Sequence, residues 1–425
     1  MTQAAQNSGS AEEWRKGWAL VLAASIGFSF FSVMLSGAGV FMGPLAKEFG
    51  WSKTLISGGI TMATWVTALL SPPFGALVDR FGSRRVALPG IVLTTAACAS
   101  FALIDGSPWQ WLGLWFLFGL TSSAIKSTVW TAAVLSVFDK SKGLALGLTL
   151  AGTAVAQLFV PNIAQYLISH GSWREAYVWL ALGWGGVTLL VCLFALFDRH
   201  DAQRQQARSG INAAPRSDLP GLSIPEAWRD WALWRVAISN FVVMVLTMGL
   251  GVHMVEILKE AGVGVAQAAF LSSLGGLAGI VGKLVTGHLL DRYRPNWIGG
   301  VTLGAAALAF LLLMQGIRSP VAIFVALMIN GYAAGTKTQI TAYLTSAYGG
   351  MRNFGAIYGV MAALMAAASG LGPLAAGYIA DVSGSYAPFL VLGTIGCALG
   401  GVLIVSMPSY PVWAKQAVEE EAVFE

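Results

Sequence analysis

Three lysines stand where lysine is expensive. Lys126, Lys283 and Lys337 each fall inside an apolar run of the length that crosses a bilayer. A lysine at the centre of such a run costs about 2.5 to 3.5 kcal/mol on insertion, so three unpaired ones would cost on the order of 8 to 10 kcal/mol. Lys126 is the most central: SSAIKSTVW is preceded by WLGLWFLFGLT and followed by TAAVLSVF. Lys283 is near enough to an end to snorkel toward water. No carboxylate lies in the middle of any run to pair with them. Asp79 and Asp291 are in loops, Asp105 and Asp381 at run ends, and Glu256 close to one. The missing counter-charge is best supplied by a visiting ligand, a small organic anion. The alternative is a structural lysine bonded to backbone carbonyls.

Other polar residues could complete such a site. Ser25, Ser29, Ser32 and Ser36 recur at intervals of four, three and four, which puts four hydroxyls on one helix face. Helix packing explains them as well as a cavity wall does, and Ser29 and Ser32 are the two taken as candidate ligands. Trp130, Gln157, Asn330 and Thr341 join the lysines as candidate lining. His253 and Glu256, three residues apart, are candidate proton carriers, a solvated pair at the end of the run being the simpler reading. The histidines are dispersed and no nucleophile, base and orienting group fall together, so neither an enzyme nor a metal or cofactor site is expected. Cys98, Cys192 and Cys397 all lie in apolar stretches without CxxC spacing, which argues against disulfides and redox chemistry.

The elements that must carry these residues are membrane helices. Of 425 residues 56% are hydrophobic and 11% charged, and the mean hydropathy is +0.69, far from a soluble domain with about 25% charge. The net charge of +5 comes from basic residues scattered over short loops, not gathered on one element. They report topology, and no nucleic-acid partner is expected. Twelve spans follow from the hydropathy, at about 18–41, 55–78, 86–105, 110–138, 143–168, 174–197, 234–258, 266–290, 297–316, 320–347, 355–380 and 387–407. The expected organisation is a disordered start (1–17), a six-helix half (18–197), a charged linker (198–233), a second six-helix half (234–407) and a tail (408–425). The first apolar stretch is too long for a signal peptide and is read as a retained span. Within the linker, Ser223 to Glu226 has the form of a capping box, and Trp228, Trp231 and Trp234 recur at helical spacing, which predicts a short interfacial helix.

Lysine and arginine set the orientation. With the N-terminus inside, the inner segments hold Arg15, Lys16, Arg80, Arg84, Arg85, Lys140, Lys142, the linker arginines, Arg292, Arg294, Arg352 and Lys415. The outer ones hold only Lys47, Lys53, Arg174, Lys259 and Arg318. Both termini are therefore expected to be cytoplasmic, in a multi-pass protein of the cell membrane.

An internal repeat gives the fold. GALVDRFGSRR begins at Gly75 and GHLLDRYRP at Gly287; Gly75 and Gly287, Asp79 and Asp291, Arg80 and Arg292, Gly143 and Gly355, Gly147 and Gly359, and Pro161 and Pro373 all differ by 212. Two parallel halves of six helices, with this motif after span two, resemble the major facilitator superfamily. The second copy has decayed, with Pro295 and Asn296 where glycine and basic residues are expected. The resemblance implies an all-α membrane fold of twelve helices in two pseudo-symmetric halves, with a site at their interface near the bilayer midplane. It implies that spans four and ten, which carry Lys126 and Lys337, face the central cavity, and shifting Lys126 by 212 indeed lands on Thr338, beside Lys337. It also implies gating by Asp79, Arg80, Arg84, Asp291 and Arg292, which would hold the inner ends together in one state; the alternative is that these charges only fix topology.

Lys142 to Gly147 with Ala151-Gly152, and Gly17 to Val21, are similar to signatures of the monocarboxylate and oxalate/formate branch, where Lys283 occupies the place of a substrate-binding arginine. The implied activity is alternating-access transport of a small organic anion, expected to be a monocarboxylate, by proton symport or anion exchange, in a monomer. An exporter of amphipathic drug-like compounds in the same fold is the alternative.

Overall fold

The computed structural model describes residues 3–197, 220–317 and 319–408, and the apolar runs become helices. They are α1 (Gln3–Phe49), α2 (Lys53–Phe81), α3 (Ser83–Ser100), α4 (Pro108–Ser122), α5 (Ser127–Leu135), α6 (Lys142–His170), α7 (Trp173–Ala195), α8 (Ile224–Arg229), α9 (Trp231–Glu260), α10 (Val265–Arg292), α11 (Pro295–Leu312), α12 (Pro320–Gly349), α13 (Phe354–Ser383) and α14 (Ala387–Val405). With α4 and α5 taken as one interrupted span, eleven stretches among the described residues are long and apolar enough to cross a membrane. Helix α10, of 28 residues, runs over the stretch where the sequence predicts span eight. Arg318, Lys415, linker residues 198–219 and tail residues 409–425, all part of the sequence reading, lie outside the described residues.

Local chemistry explains the helix ends. Ser52, Ser107, Ser172, Ser319 and Asp230 cap α2, α4, α7, α12 and α9 by accepting from a backbone N–H three residues on, with proline in the first turn of α4 and α12. Between α2 and α3 the chain turns at Gly82, φ 87°, a left-handed value that explains the glycine within DRFGSRR. The capping box forms: Ser223 N and Oγ both lie 2.7 Å from Glu226 Oε2. These two bonds hold the exposed Glu226 carboxyl below the usual carboxylate range. The short helix expected in the linker is α8. Helix α1 is described from Gln3. Near its start Lys16 pairs with Glu12 at 2.6 Å, and Trp14 packs edge-on against Phe138 at 5.1 Å.

The chain divides into two compact units. One comprises residues 1–140, 148–217 and 358–363, the other 141–147, 218–357 and 364–425. One boundary falls in the linker, and a short piece of α6 and a short piece of α13 each belong to the unit opposite the rest of their helix. Aromatic rings fill the first unit: Phe101 lies 5.7 Å from Trp111, 5.2 Å from Trp115 and 5.4 Å from Tyr177. The second is built on glycine seams. A Cβ at Gly331 or Gly335 would collide with the carbonyls of Gly275 and Gly279, so α10 and α12 pack backbone to backbone, as small residues permit where apolar burial gives little drive.

Candidate functional site

Lys126 sits at a break. Span four runs as α4, continues as a 3-10 turn over Ser123–Ile125, becomes extended at Lys126 (φ −73°, ψ 169°), and restarts as α5. Two groups mend the interruption. Trp130 Nε1 donates to the Ile125 carbonyl at 2.7 Å, and Val129 N donates to the Lys126 carbonyl at 3.1 Å. Trp130 is wholly buried, and its ring occupies the space that a side chain at Gly27 of α1 would need.

The Lys126 ammonium is tied to α2. Its Nζ donates to Ser71 Oγ at 2.8 Å and to the Thr67 carbonyl at 3.3 Å, while Ser71 passes its own proton to that same carbonyl at 2.6 Å. An ammonium has three donors, so one remains. Among the described residues no carboxylate lies within ion-pair distance of it. The structural alternative, a lysine bonded to backbone, is thus partly realised, but the charge is left uncompensated. Ser71 and Thr67 were not picked out in the sequence. One signal was available: Ser71 precedes Lys283 by 212, so the first unit places a hydroxyl on span two where the second places a lysine on span eight.

Lys337 is held differently. Helix α12 runs through it unbroken, and its Nζ donates to Thr247 Oγ1 of α9, which donates to Val243 O at 2.6 Å. The residue is 1% exposed, enclosed within the second unit. Thr341 is spent on the Lys337 carbonyl at 2.8 Å. Asn330 is buried with its Oδ1 unpartnered among the described residues, as are both polar side-chain atoms of Asn240, seven residues before Thr247 on α9. Lys283 is half-buried on α10 and Gln157 exposed on α6. Ser29 donates to Ile26 O at 2.7 Å and accepts from Trp184 Nε1 at 2.8 Å, so it joins α1 to α7. Ser32 is buried on α1.

His253 and Glu256 do not meet. Glu256 pairs with Lys259 at 2.8 Å on the surface. His253 bridges the Pro373 carbonyl, 3.0 Å from Nε2, and the Tyr386 hydroxyl, 2.8 Å from Nδ1. A carbonyl only accepts, so the proton sits on Nε2 and Tyr386 donates to Nδ1. Burial, then Glu256, Glu260 and Asp381, raise the Tyr386 phenol above its ordinary value and keep it a donor.

In the second copy of the loop motif, Asp291 accepts from Gly143 N at 2.6 Å and Leu144 N at 2.9 Å, capping the first turn of α6. Gln339 Nε2 donates to the Gly143 carbonyl at 2.7 Å. Side chains at Gly143 or Gly287 would strike the other's backbone carbonyl, which accounts for glycine at both places. In the first copy Arg84 donates to the Leu193 carbonyl at 2.7 Å, closing the end of α7, and Arg80 lies over the Phe81 ring. Arg292 is exposed.

The family profile of the Major Facilitator Superfamily matches residues 22–348 and again 236–424. The chain is 24% identical over 392 residues to Monocarboxylate transporter 13 of Bos taurus, covering 91% of this chain and 88% of that one. It is 27% identical over 389 residues to the Gallate transporter of Pseudomonas putida, covering 81% and 84%. Among solved structures, the human organic anion transporter MFSD10 superposes with a TM-score of 0.68 at 18% identity, over 92% of this chain and 99% of that one. The E. coli fucose:proton symporter FucP superposes at 0.69 and 14%, over 92% and 98%. At these identities the two structures speak to the fold alone. The repeat of six-helix halves, the apolar spans and a family match along most of the sequence converge: the chain belongs to the Major Facilitator Superfamily, and is a multi-pass membrane transporter rather than an enzyme.

Proposed function

We propose that this protein moves a small organic anion, in the simplest case a monocarboxylate, across the cell membrane by alternating access, with both termini cytoplasmic. One observation carries the reading. Lys126 places an ammonium inside an apolar span, anchors it on Ser71 and Thr67, and leaves it without a carboxylate partner among the described residues. A buried cation is retained at such cost where it marks a ligand path. A charge-assisted hydrogen bond to a carboxylate is the interaction it is built to make. The names of the relatives, monocarboxylate and gallate transporters, support the same substrate class. Lys283 and Lys337 are proposed as further cations met during the cycle. Asp79, Arg80 and Arg84, with Asp291 and Arg292, are proposed to act in gating.

Uptake into proteoliposomes tests this. Pyruvate and gallate are expected to enter, and each to compete with the other. If a neutral or cationic amphipathic drug is carried while neither acid is, the exporter reading replaces this one.

A further inference from the structure

We propose that the break in span four is itself the carboxylate subsite, in which the main-chain N–H groups of Ser127 and Thr128 and the hydroxyl of Thr128 hold the anion beside Lys126. The inference rests on the organic-anion reading above and adds the groups that recognise the carboxylate.

An unbroken helix would bond the N–H groups of residues 127 and 128 to carbonyls four residues back. The extended Lys126 removes that register, and these residues become the start of a new nine-residue helix. The first N–H groups of a helix have no intrahelical acceptor, and its positive end favours an anion. Val129 N, the third donor of the new helix, is spent on the Lys126 carbonyl. Trp130 satisfies the freed Ile125 carbonyl, an acceptor, and itself offers nothing to the N–H groups of Ser127 and Thr128. The start of a helix next to an ammonium suits a carboxylate.

Thr128 supplies the independent observation. It is 3% exposed, and its Oγ1 has no hydrogen-bond partner among the described residues, whereas Thr131, one turn on, donates to the Ser127 carbonyl at 2.9 Å. The Cα–Cβ bond in a helix tilts toward the N-terminus, so the Thr128 side chain leans toward the break. A buried hydroxyl without a partner is destabilising in an apolar surrounding, and a carboxylate oxygen at the break would satisfy it.

The geometry allows a main-chain N–H to be deleted. Proline is accommodated at the first position of a helix, and the residue before it must be extended. Ser127 and Lys126 meet both conditions. Ser127→Pro therefore removes one N–H, and Ser127→Ala controls for the lost hydroxyl.

Binding of pyruvate and gallate to the purified full-length protein is measured by calorimetry, with melting temperature as the folding check. Thr128→Val is expected to weaken binding at least about tenfold and Thr128→Ser by less than about threefold, with Ser127→Pro at least about tenfold weaker than Ser127→Ala. If Ser127→Pro fails to fold, the Thr128 pair decides. If Thr128→Val binds like wild type while Lys126→Gln does not, the subsite is wrong and the anion reading stands. If neither acid binds wild type, or Lys126→Gln binds both acids as wild type does, the anion reading falls and takes the subsite with it.

Discussion

Ser71 Oγ lies 2.8 Å from Lys126 Nζ across 55 residues of sequence, and this contact fixes where the ammonium stands. Ser71 spends its proton on the Thr67 carbonyl, so its lone pair faces the lysine and orients it without neutralising it. Lys126→Gln is expected to lower anion affinity at least about tenfold through loss of a charge-assisted bond. Ser71→Ala, which only loosens the anchor, is expected to lower it by about three- to tenfold. Calorimetric titration with pyruvate or gallate checks both. Equal losses in the two variants would mean that Ser71 touches the anion itself.

Lys337 calls for a stability test. It is enclosed against Thr247, and among the described residues no carboxylate compensates it, so replacing it by methionine of similar length removes a buried charge. Such replacements are often neutral or stabilising. Lys337→Met is expected to melt no lower than wild type. Thr247→Val, which keeps the charge and deletes its partner, is expected to destabilise by about 1 to 3 kcal/mol. The double variant should recover most of that loss, as coupling between neighbours requires. A double variant as unstable as Thr247→Val alone would show that the pair is not coupled.

Asp291 offers two acceptor oxygens to two N–H groups at the start of α6. Asn can serve one of them and carries no charge to meet the helix dipole, so Asp291→Asn is expected to destabilise by about 1 to 2 kcal/mol. Gly143→Ala should cost more, because the new Cβ meets the Gly287 carbonyl and backbone cannot give way as a side chain can. Thermal melts of the two variants rank these effects. For the first copy of the motif, Asp79→Asn is expected to slow interconversion between transport states and leave affinity largely intact.

Spans, halves and caps could be read from the sequence because each has a local signature: an apolar length, an offset of 212, a serine or aspartate before a helix. The gap in span four has none. SSAIKSTVW contains neither glycine nor proline, and the comparable stretch TKTQIT in α12 stays helical. Ser and Thr can draw backbone groups away from the helix, but what fixes the break is tertiary: Trp130 supplies the donor that the Ile125 carbonyl needs, and Gly27 gives that indole room. The lysines were legible by type, and their exposure was not. Lys126 ended on a serine of span two and Lys337 inside a helix pair because helix rotation about its own axis is set by packing. The four-serine face of α1 illustrates the same limit, since Ser29 turned out to receive Trp184.

The last prediction concerns protons. Among the described residues Glu256 is a surface partner of Lys259, and Glu256→Gln is expected to leave the pH dependence of uptake unchanged. His253 is a bridge whose Nε2–H bond to Pro373 survives protonation, whereas the Nδ1 contact must reverse, with Tyr386 turning its hydroxyl from donor to acceptor. His253→Gln keeps a donor for Pro373, so it should alter uptake rate more than its pH profile. If that profile shifts by more than about one unit in His253→Gln, the histidine titrates during transport. If it stays put, and Lys126→Arg removes the pH dependence of anion binding while keeping the affinity, the proton rides on the lysine, because arginine pairs with a carboxylate but does not release its proton. Uptake that ignores pH and protonophores, yet accelerates when a carboxylate is loaded on the far side, would rule out both carriers and assign anion exchange.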